Sequence, residues 1–373
     1  MGYLMSRVIT VLGARPQFVK AAVVSRALAA AGVTERIIHT GQHSDAAMSE
    51  IFFSELGIPA PSVNLGISGG GHGAQTGAMM IALEQELAAN RRPGDLVLVY
   101  GDTNSTLAGA LVGSKLGIPV VHVEAGLRSW NRSMPEEVNR VIADHLSMLL
   151  LCPTEQSVSN LAAEGIVEGG PLPRRVALVG DVMLDAAIAF GPAAGRVGPL
   201  ATPAGSAVPH LLVTVHRAEN TDDPRRLGTI VEAVRLLARE MPVVWPVHPR
   251  VRRLLPALGL SVGERDGGPR LVEPVGYLEM LALERQARCV LTDSGGVQKE
   301  AFFAGVPCVT VRDETEWIEL VEAGWNRVVP PTDSLAIVEA VKAARPGRAE
   351  FAPYGAGDAS VRIAELIRAF AAR

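Results

Sequence analysis

Cysteine is scarce, three in 373 residues, and Cys152, Cys289 and Cys308 lie far apart in apolar, strand-like runs. Such spacing excludes a disulfide framework and a cysteine-based metal motif, and it predicts buried thiols. No excess of positive charge exists either: 35 Lys and Arg against 39 Asp and Glu leave a net charge of −4. A nucleic-acid binder working through bulk electrostatics is therefore excluded, and no nucleic-acid partner is expected. No run approaches about 18 uncharged apolar residues, which argues against a membrane-spanning helix. The N-terminus offers only Val8–Leu12 as an apolar stretch, shorter than a signal-peptide core, so a cytoplasmic protein with no membrane partner is expected. The dinucleotide fingerprint GxGxxG is missing altogether.

What is present is enough to build cores. Apolar residues make up 48% of the chain, and the length suits two or three domains of roughly 150 residues each. Apolar runs recur at 7–13, 36–40, 95–101, 119–126, 148–154 and 176–181, with helical patterns at 18–31, 79–92, 105–116 and 136–147 between them. Strands that are apolar throughout, separated by helices, imply a parallel sheet covered on both faces. The rhythm resumes at 210–217, 243–249, 288–296, 306–312 and 327–330, after a Gly-, Pro- and Ala-rich stretch over 191–209 that predicts a linker or surface excursion. The pattern predicts an α/β chain of two Rossmann-like, doubly wound domains with a cleft between them. The expected boundaries are 1–182 and 183–357, with a last helix over 358–373 returning to the first domain. That helix is expected to present Ile363, Leu366 and Phe370 on one face.

Ligands bind such sheets beyond the carboxyl ends of the strands, and the polar motifs fall there. GARPQFVK (13–20) follows the first strand; Gly13 permits the turn, and Arg15 and Lys20 bring two cations to a helix N-terminus. TDSGGVQKEA (292–301) leads through Ser294, Gly295 and Gly296 into a helix carrying Glu300. Small residues there let backbone N–H groups approach an anion, and Glu300 is placed to accept both hydroxyls of a ribose; the plainer account makes Ser294 an N-cap. Asp102, Glu124 and Glu136 cluster after neighbouring strands beside Arg128 and Arg140, and paired carboxylates are what proton transfer needs. His216 and Arg217 end a second-domain strand, with His248 in PVHP a weaker case of the same kind. GISGG (66–70) matches a nucleophile-elbow pattern but is read as followed by glycine instead of a helix, and GALVGSK (109–115) lies inside a helical pattern with the wrong spacing for a phosphate loop.

Taken in order, GARPQFVK, HTGQH, GDTNST, HVEAGLRS, PEEVNR, VTVHRAEN, PVHP, TDSGGVQKEA and RDETEW resemble the non-hydrolysing UDP-N-acetylglucosamine 2-epimerases, nearly end to end. The resemblance implies a glycosyltransferase-B type fold, a cleft that closes on substrate, a homodimer and interconversion of UDP-GlcNAc and UDP-ManNAc. The implied route eliminates UDP to leave 2-acetamidoglucal and then adds it back, with UDP a transient ligand. Carried over by motif, Asp102, Glu124 and Glu136 match the catalytic carboxylates and His216 the catalytic histidine. Arg15, Lys20, Ser294, Gly295, Gly296 and Glu300 match nucleotide-binding positions, and Arg128, Arg140 and Arg217 are expected to support substrate. Gln42, His43, Gln75 and His248 are regulatory or first-domain contacts by the same resemblance. No metal and no redox cofactor is implied.

Some residues depart from the commoner pattern. Ala14-Arg15-Pro16-Gln17 replaces Thr-Arg-Pro-Glu, and the segment between Arg128 and Pro135 is short. Together with HGAQTG (72–77), these features resemble a branch that includes UDP-2,3-diacetamido-glucuronate 2-epimerases, which leaves the C3 and C6 substituents open. Asp45 and Ala74 stand where some members that bind a second UDP-GlcNAc have Gln and Arg, so strong activation by substrate is not expected. A glycosyltransferase of the same fold and a non-catalytic nucleotide-sugar sensor are the alternatives from other classes.

Overall fold

The computed structural model describes residues 7–42, 53–169, 173–196, 209–259 and 268–371. The chain divides into two compact units, Met1–Ala186 with Ala352–Arg373, and Ala187–Phe351. Of the expected excursion over 191–209, residues 197–208 lie outside the described residues, as does His43.

In the first unit, β1 (Arg7–Leu12), β2 (Thr34–His39), β3 (Val63–Asn64), β4 (Leu96–Tyr100), β5 (Val120–Val123), β6 (Leu149–Cys152) and β7 (Arg175–Leu178) form one sheet. The order is β3-β2-β1-β4-β5-β6-β7 and every pair is parallel. The helices are α1 (Arg15–Ala30), α2 (His72–Asn90), α3 (Asn104–Lys115), α4 (Pro135–Leu146) and α5 (Glu155–Ala163), and α6 (Val182–Ala194) begins in this unit and ends in the second. Along β1, β4, β5 and β6 residues of both strand faces are buried, as in a sheet covered by helices on both sides, and these strands read as near-continuous apolar runs. Ile9, Val11, Val97, Val99 and Val120 pack with Met79, Leu83, Leu87 and Val112. Gly109 on α3 shows how closely helix meets sheet, since a Cβ there would lie 2.9 Å from Val99 Cγ1. The glycines of GALVGSK therefore serve packing.

The second unit repeats the plan with β8 (His210–Thr214), β9 (Val243–Pro246), β10 (Arg270–Val272), β11 (Ala287–Thr292), β12 (Cys308–Thr310) and β13 (Asn326–Val328). Their order is β10-β9-β8-β11-β12-β13, again parallel throughout. Helices α7 (Ala218–Thr221), α8 (Pro224–Ala238), α9 (Pro249–Arg252), α10 (Tyr277–Gln286), α11 (Gly295–Phe303), α12 (Ile318–Glu322) and α13 (Ser334–Ala343) complete it. In each sheet the strand order reverses at one place, between β1 and β4 and between β8 and β11. Such switch points open a crevice at the strands' carboxyl ends.

The last helix, α14 (Ala359–Ala371), packs on α1 of the first unit. Its N-terminal amides are held by Asp185, whose carboxylate accepts from the backbone N–H of Ala359 (3.2 Å) and Ser360 (2.7 Å) and from Ser360 Oγ (2.6 Å). The buried stripe is Ile363, Ala364 and Ile367, and the expected Leu366 and Phe370 are only half-buried.

The structure differs from the expected elements at one helix start and at two short strands. The helix expected over 79–92 begins seven residues earlier, at His72, so a helix does follow GISGG; Ser68 in that stretch is exposed and no strand leads directly into it. β3 and β10, of two and three residues, carry too few side chains to show a period. Among the described residues no helix is long and apolar enough to cross a membrane. All three cysteines are free and buried, and burial pushes each thiol well above its ordinary range.

Candidate active site

The turn from β1 into α1 is built by Gly13 and Gln17. Gly13 is required for space and not for its backbone angle, because a Cβ would fall 1.9 Å from Thr40 Oγ1 and 2.6 Å from Ser105 Oγ. Gln17 Oε1 accepts from the backbone N–H of Gly13 (2.8 Å) and Ala14 (3.0 Å). Its Nε2 donates to Tyr100 O (3.0 Å) and Thr106 Oγ1 (3.1 Å), which ties the turn to the end of β4. A glutamate could not make those last two bonds while ionised, so the amide has a definite use. Arg15 opens the helix, partly exposed, and Lys20 lies one turn on.

Lys20 Nζ and Glu124 form a buried ion pair. Glu124 follows β5 with a φ of +70°, a conformation that side chains with a Cβ rarely adopt. Gly101, at φ +61°, passes beneath the pair, and a Cβ there would stand 3.1 Å from Glu124 Oε2 and 3.3 Å from Lys20 Nζ. Asp102 comes next. Its Oδ2 accepts from Arg140 (2.6 Å), and its backbone carbonyl accepts from Asn139 Nδ2 (2.9 Å). Burial raises the proton affinity of the Asp102 carboxyl; Arg140 opposes this, Glu124 and Glu136 reinforce it, and Lys20 opposes it. Three carboxylates and two cations thus act on one another within the first unit. A carboxyl pushed upward beside one locked in an ion pair is the kind of division that separates a general acid from a general base.

Helix α4 contributes through its first turns. Pro135 opens it, Glu136 is half-buried and Glu137 is fully buried. Glu137 accepts from the backbone N–H of Ser129 (2.9 Å) and Trp130 (3.1 Å) and from Ser129 Oγ (3.1 Å), so it holds the 128–130 loop in place.

Arg128 is corrected. It was expected to support substrate, but its guanidinium is wholly buried and points into the unit. It donates to Glu164 Oε1 (2.7 Å) and Oε2 (2.9 Å), to Asp144 Oδ2 (2.7 Å) and to Leu127 O (2.6 Å). Four of its five N–H groups are thereby used inside the protein.

Gln42 and Gln75 are brought together near the start of α3. Gln42 Oε1 accepts from Ser105 N (2.9 Å) and Ser105 Oγ (2.7 Å), while Gln75 Oε1 accepts from Asn104 Nδ2 (2.8 Å) and its Nε2 donates to Gln42 O (3.4 Å). Local hydrogen bonds account for both side chains. His248 lies in the second unit, exposed, where it caps α9 through Nδ1, which accepts from Arg250 N at 3.2 Å.

In the second unit the buried Asp293 joins two motifs. Its carboxylate accepts from the backbone N–H of His216 (3.0 Å) and Arg217 (3.0 Å) and from Asn220 Nδ2 (3.0 Å), so the end of β11 fixes the turn after β8. His216 Nδ1 stands 3.6 Å from Asp293 Oδ1, and its partly exposed ring lies 5.5 Å from that of His248. Arg217 is half-buried beside it. Ser294 occupies the N-cap position of α11 in extended conformation, with no side-chain hydrogen bond to the helix. A Cβ added to Gly296 would meet nothing within 4 Å, whereas one on Gly295 would stand 3.6 Å from Glu316 Oε2 and Trp317 Nε1 and 3.7 Å from an Arg217 guanidinium nitrogen. The carbonyl of Gly295 accepts from Trp317 Nε1 (2.9 Å), and Glu300 sits one turn on, half-buried. Among the described residues no group of three or more His, Cys, Asp or Glu is arranged to hold a metal ion.

The profile of the UDP-N-acetylglucosamine 2-epimerases matches residues 26–368. The chain belongs to the UDP-N-acetylglucosamine 2-epimerase family. The epimerase is thus an isomerase, with the two α/β units expected of that family. It is 48% identical over 365 residues to the UDP-2,3-diacetamido-2,3-dideoxy-D-glucuronate 2-epimerase of Pseudomonas aeruginosa, covering 97% of this chain and 99% of that one. Among solved structures it is similar to the Methanocaldococcus jannaschii UDP-GlcNAc 2-epimerase in complex with UDP-GlcNAc and UDP, with a TM-score of 0.86 and 40% identity over 97% of this chain and 99% of that one. It is also similar to the Neisseria meningitidis UDP-GlcNAc 2-epimerase bound to UDP-GlcNAc, with a TM-score of 0.84 and 30% identity over 97% and 99%.

Proposed function

We propose that the epimerase reversibly inverts C2 of a UDP-linked 2-acetamido sugar, interconverting UDP-GlcNAc and UDP-ManNAc. A base removes the C2 proton as the C1–O bond to UDP breaks, which leaves 2-acetamidoglucal and UDP. Return of UDP to C1, with a proton delivered to the other face of C2, gives the epimer. The observation that carries this reading is that Asp102 and Glu124 follow the neighbouring strands β4 and β5, each paired with its own cation, Arg140 and Lys20, with Glu136 on the helix that carries Arg140; more than one acid or base is what inversion at a carbon needs. Neutral alternatives at these positions would bind a sugar nucleotide without exchanging its C2 proton.

The nucleotide has its own set of residues. Arg15 at the start of α1 offers charge to a diphosphate, as do the amides from Ser294 to Gly296 at the start of α11 and the ring of His216, and a leaving diphosphate is stabilised by such groups. Glu300 suits a ribose diol. The remaining assignments — Lys20 as partner of Glu124, Arg140 as partner of Asp102, Arg217 beside His216 — place cations next to each reacting or binding group. The proposal includes a homodimer in the cytoplasm, and light scattering of the purified protein checks the assembly.

A second substrate has one specific observation in its favour. The 48% identical relative is named for UDP-2,3-diacetamido-2,3-dideoxy-D-glucuronate, in line with the short 129–134 segment and HGAQTG. Proton NMR of the sugar after incubation with each nucleotide sugar separates the readings. New C2-epimer signals from UDP-GlcNAc support the first, and turnover of the diacetamido uronate alone supports the second. UDP binding without turnover of either would leave a sensor.

A further inference from the structure

We propose that His122 is a positioning residue whose doubly protonated ring locks together the two strand ends carrying Asp102 and Glu124. The ring is fully buried in β5. Its Nε2 lies 2.7 Å from Gly101 O, and its Nδ1 lies 2.7 Å from Asp144 Oδ1. A backbone carbonyl can only accept a hydrogen bond, so Nε2 carries a proton. Asp144 is the other acceptor. Its second oxygen, Oδ2, accepts from Arg128 (2.7 Å) and from Gly126 N (3.1 Å). Burial favours the neutral acid at Asp144, but His122 and Arg128 prevail and hold its carboxyl below the ordinary range. With Asp144 ionised and aimed at Nδ1, that nitrogen carries a proton too, and the ring is an imidazolium.

The charges then alternate from His122 through Asp144 and Arg128 to Glu164, with no excess of either sign. Buried ions persist only when paired and hydrogen-bonded in this way. The consequence for the site is geometric. His122 holds the carbonyl of Gly101, the residue that passes under the Lys20–Glu124 pair and immediately precedes Asp102. Through Asp144 the same ring holds the N–H of Gly126, two residues beyond Glu124. One imidazolium therefore sets the separation of two carboxylates that face the reaction, without touching substrate.

This role rests on the proposed use of Asp102 and Glu124 in C2 proton transfer, and its test separates the two ideas. Neutron diffraction from deuterated crystals at neutral pD should show deuterium on both ring nitrogens of His122, and a bare nitrogen overturns the inference whatever the activity. In solution His122→Gln should lower kcat by roughly ten- to a hundredfold, since small misplacements of catalytic groups cost about that much. KM and the Kd of UDP should stay within about twofold, a split that general loosening of the unit would not give. A wild-type kcat overturns the positioning role; where that variant does not fold, Asp144→Asn is read in the same way. A wild-type protein inactive on every nucleotide sugar would overturn the proposed function and leave the neutron result standing.

Discussion

Lys20 and Glu124 face each other across the carboxyl edge of the first sheet as a buried ion pair, with Gly101 beneath them. An isolated carboxylate in that position would be poorly solvated. Removing the ammonium alone should therefore be worse than removing both charges. Lys20→Met is expected to destabilise the protein by about 3 kcal/mol, and adding Glu124→Gln should restore most of that without restoring activity. Urea titration of the single and double variants checks it.

Gly101→Ala tests the same spot through the backbone. At φ +61° an alanine pays about 1–2 kcal/mol for the left-handed conformation, and its Cβ presses on both members of the ion pair. A loss of stability of that size, together with a lower kcat, is the expected outcome of denaturation and initial-rate measurements.

Glu284 on α10 gives a pH prediction. It is fully buried, burial pushes its carboxyl well above the ordinary value of 4.5, and the nearby Glu300 pushes it the same way. The folded protein thus keeps a proton that the unfolded chain gives up near pH 4.5. Between that pH and the raised value the native state binds more protons, so this group makes stability fall as pH rises through the window. Glu284→Gln should flatten that slope and raise Tm at neutral pH, with little change near pH 4. Thermal melts across the range decide it.

Variants should sort by role. Glu124→Gln and Glu136→Gln should each lower kcat by about a hundredfold or more and leave UDP binding almost unchanged. Arg15→Ala and Glu300→Ala should weaken UDP by roughly 1–3 kcal/mol, the scale of a lost charge-assisted bond. Calorimetric titration beside steady-state kinetics gives both quantities, and the opposite sorting contradicts the assignment.

Much of this was legible in the chain because parallel strands between covering helices are apolar along their whole length. Polar motifs directly after Leu12, Tyr100, Val123, Thr214 and Thr292 then mark the functional edge. What a linear reading cannot supply is the direction of a side chain. Arg128 sits in a motif with Glu124 but turns inward to Asp144 and Glu164, residues on α4 and just after α5. His122 and Asp144 are 22 positions apart and each looks ordinary alone. Asp293 lies inside the TDSGG motif, but its grip on the His216 turn exists only once β8 and β11 are neighbours. The start of α2 was missed because Gly71, Gly73 and Gly77 carry no apolar period.

The central claim is that carboxylates of the first unit remove and return the C2 proton. Running the reaction in deuterated water and following the sugar by proton NMR tests it most directly. Asp and Glu exchange their protons with solvent, so both epimers should acquire deuterium at C2 as they interconvert. Interconversion with the original hydrogen fully retained at C2 would contradict the account.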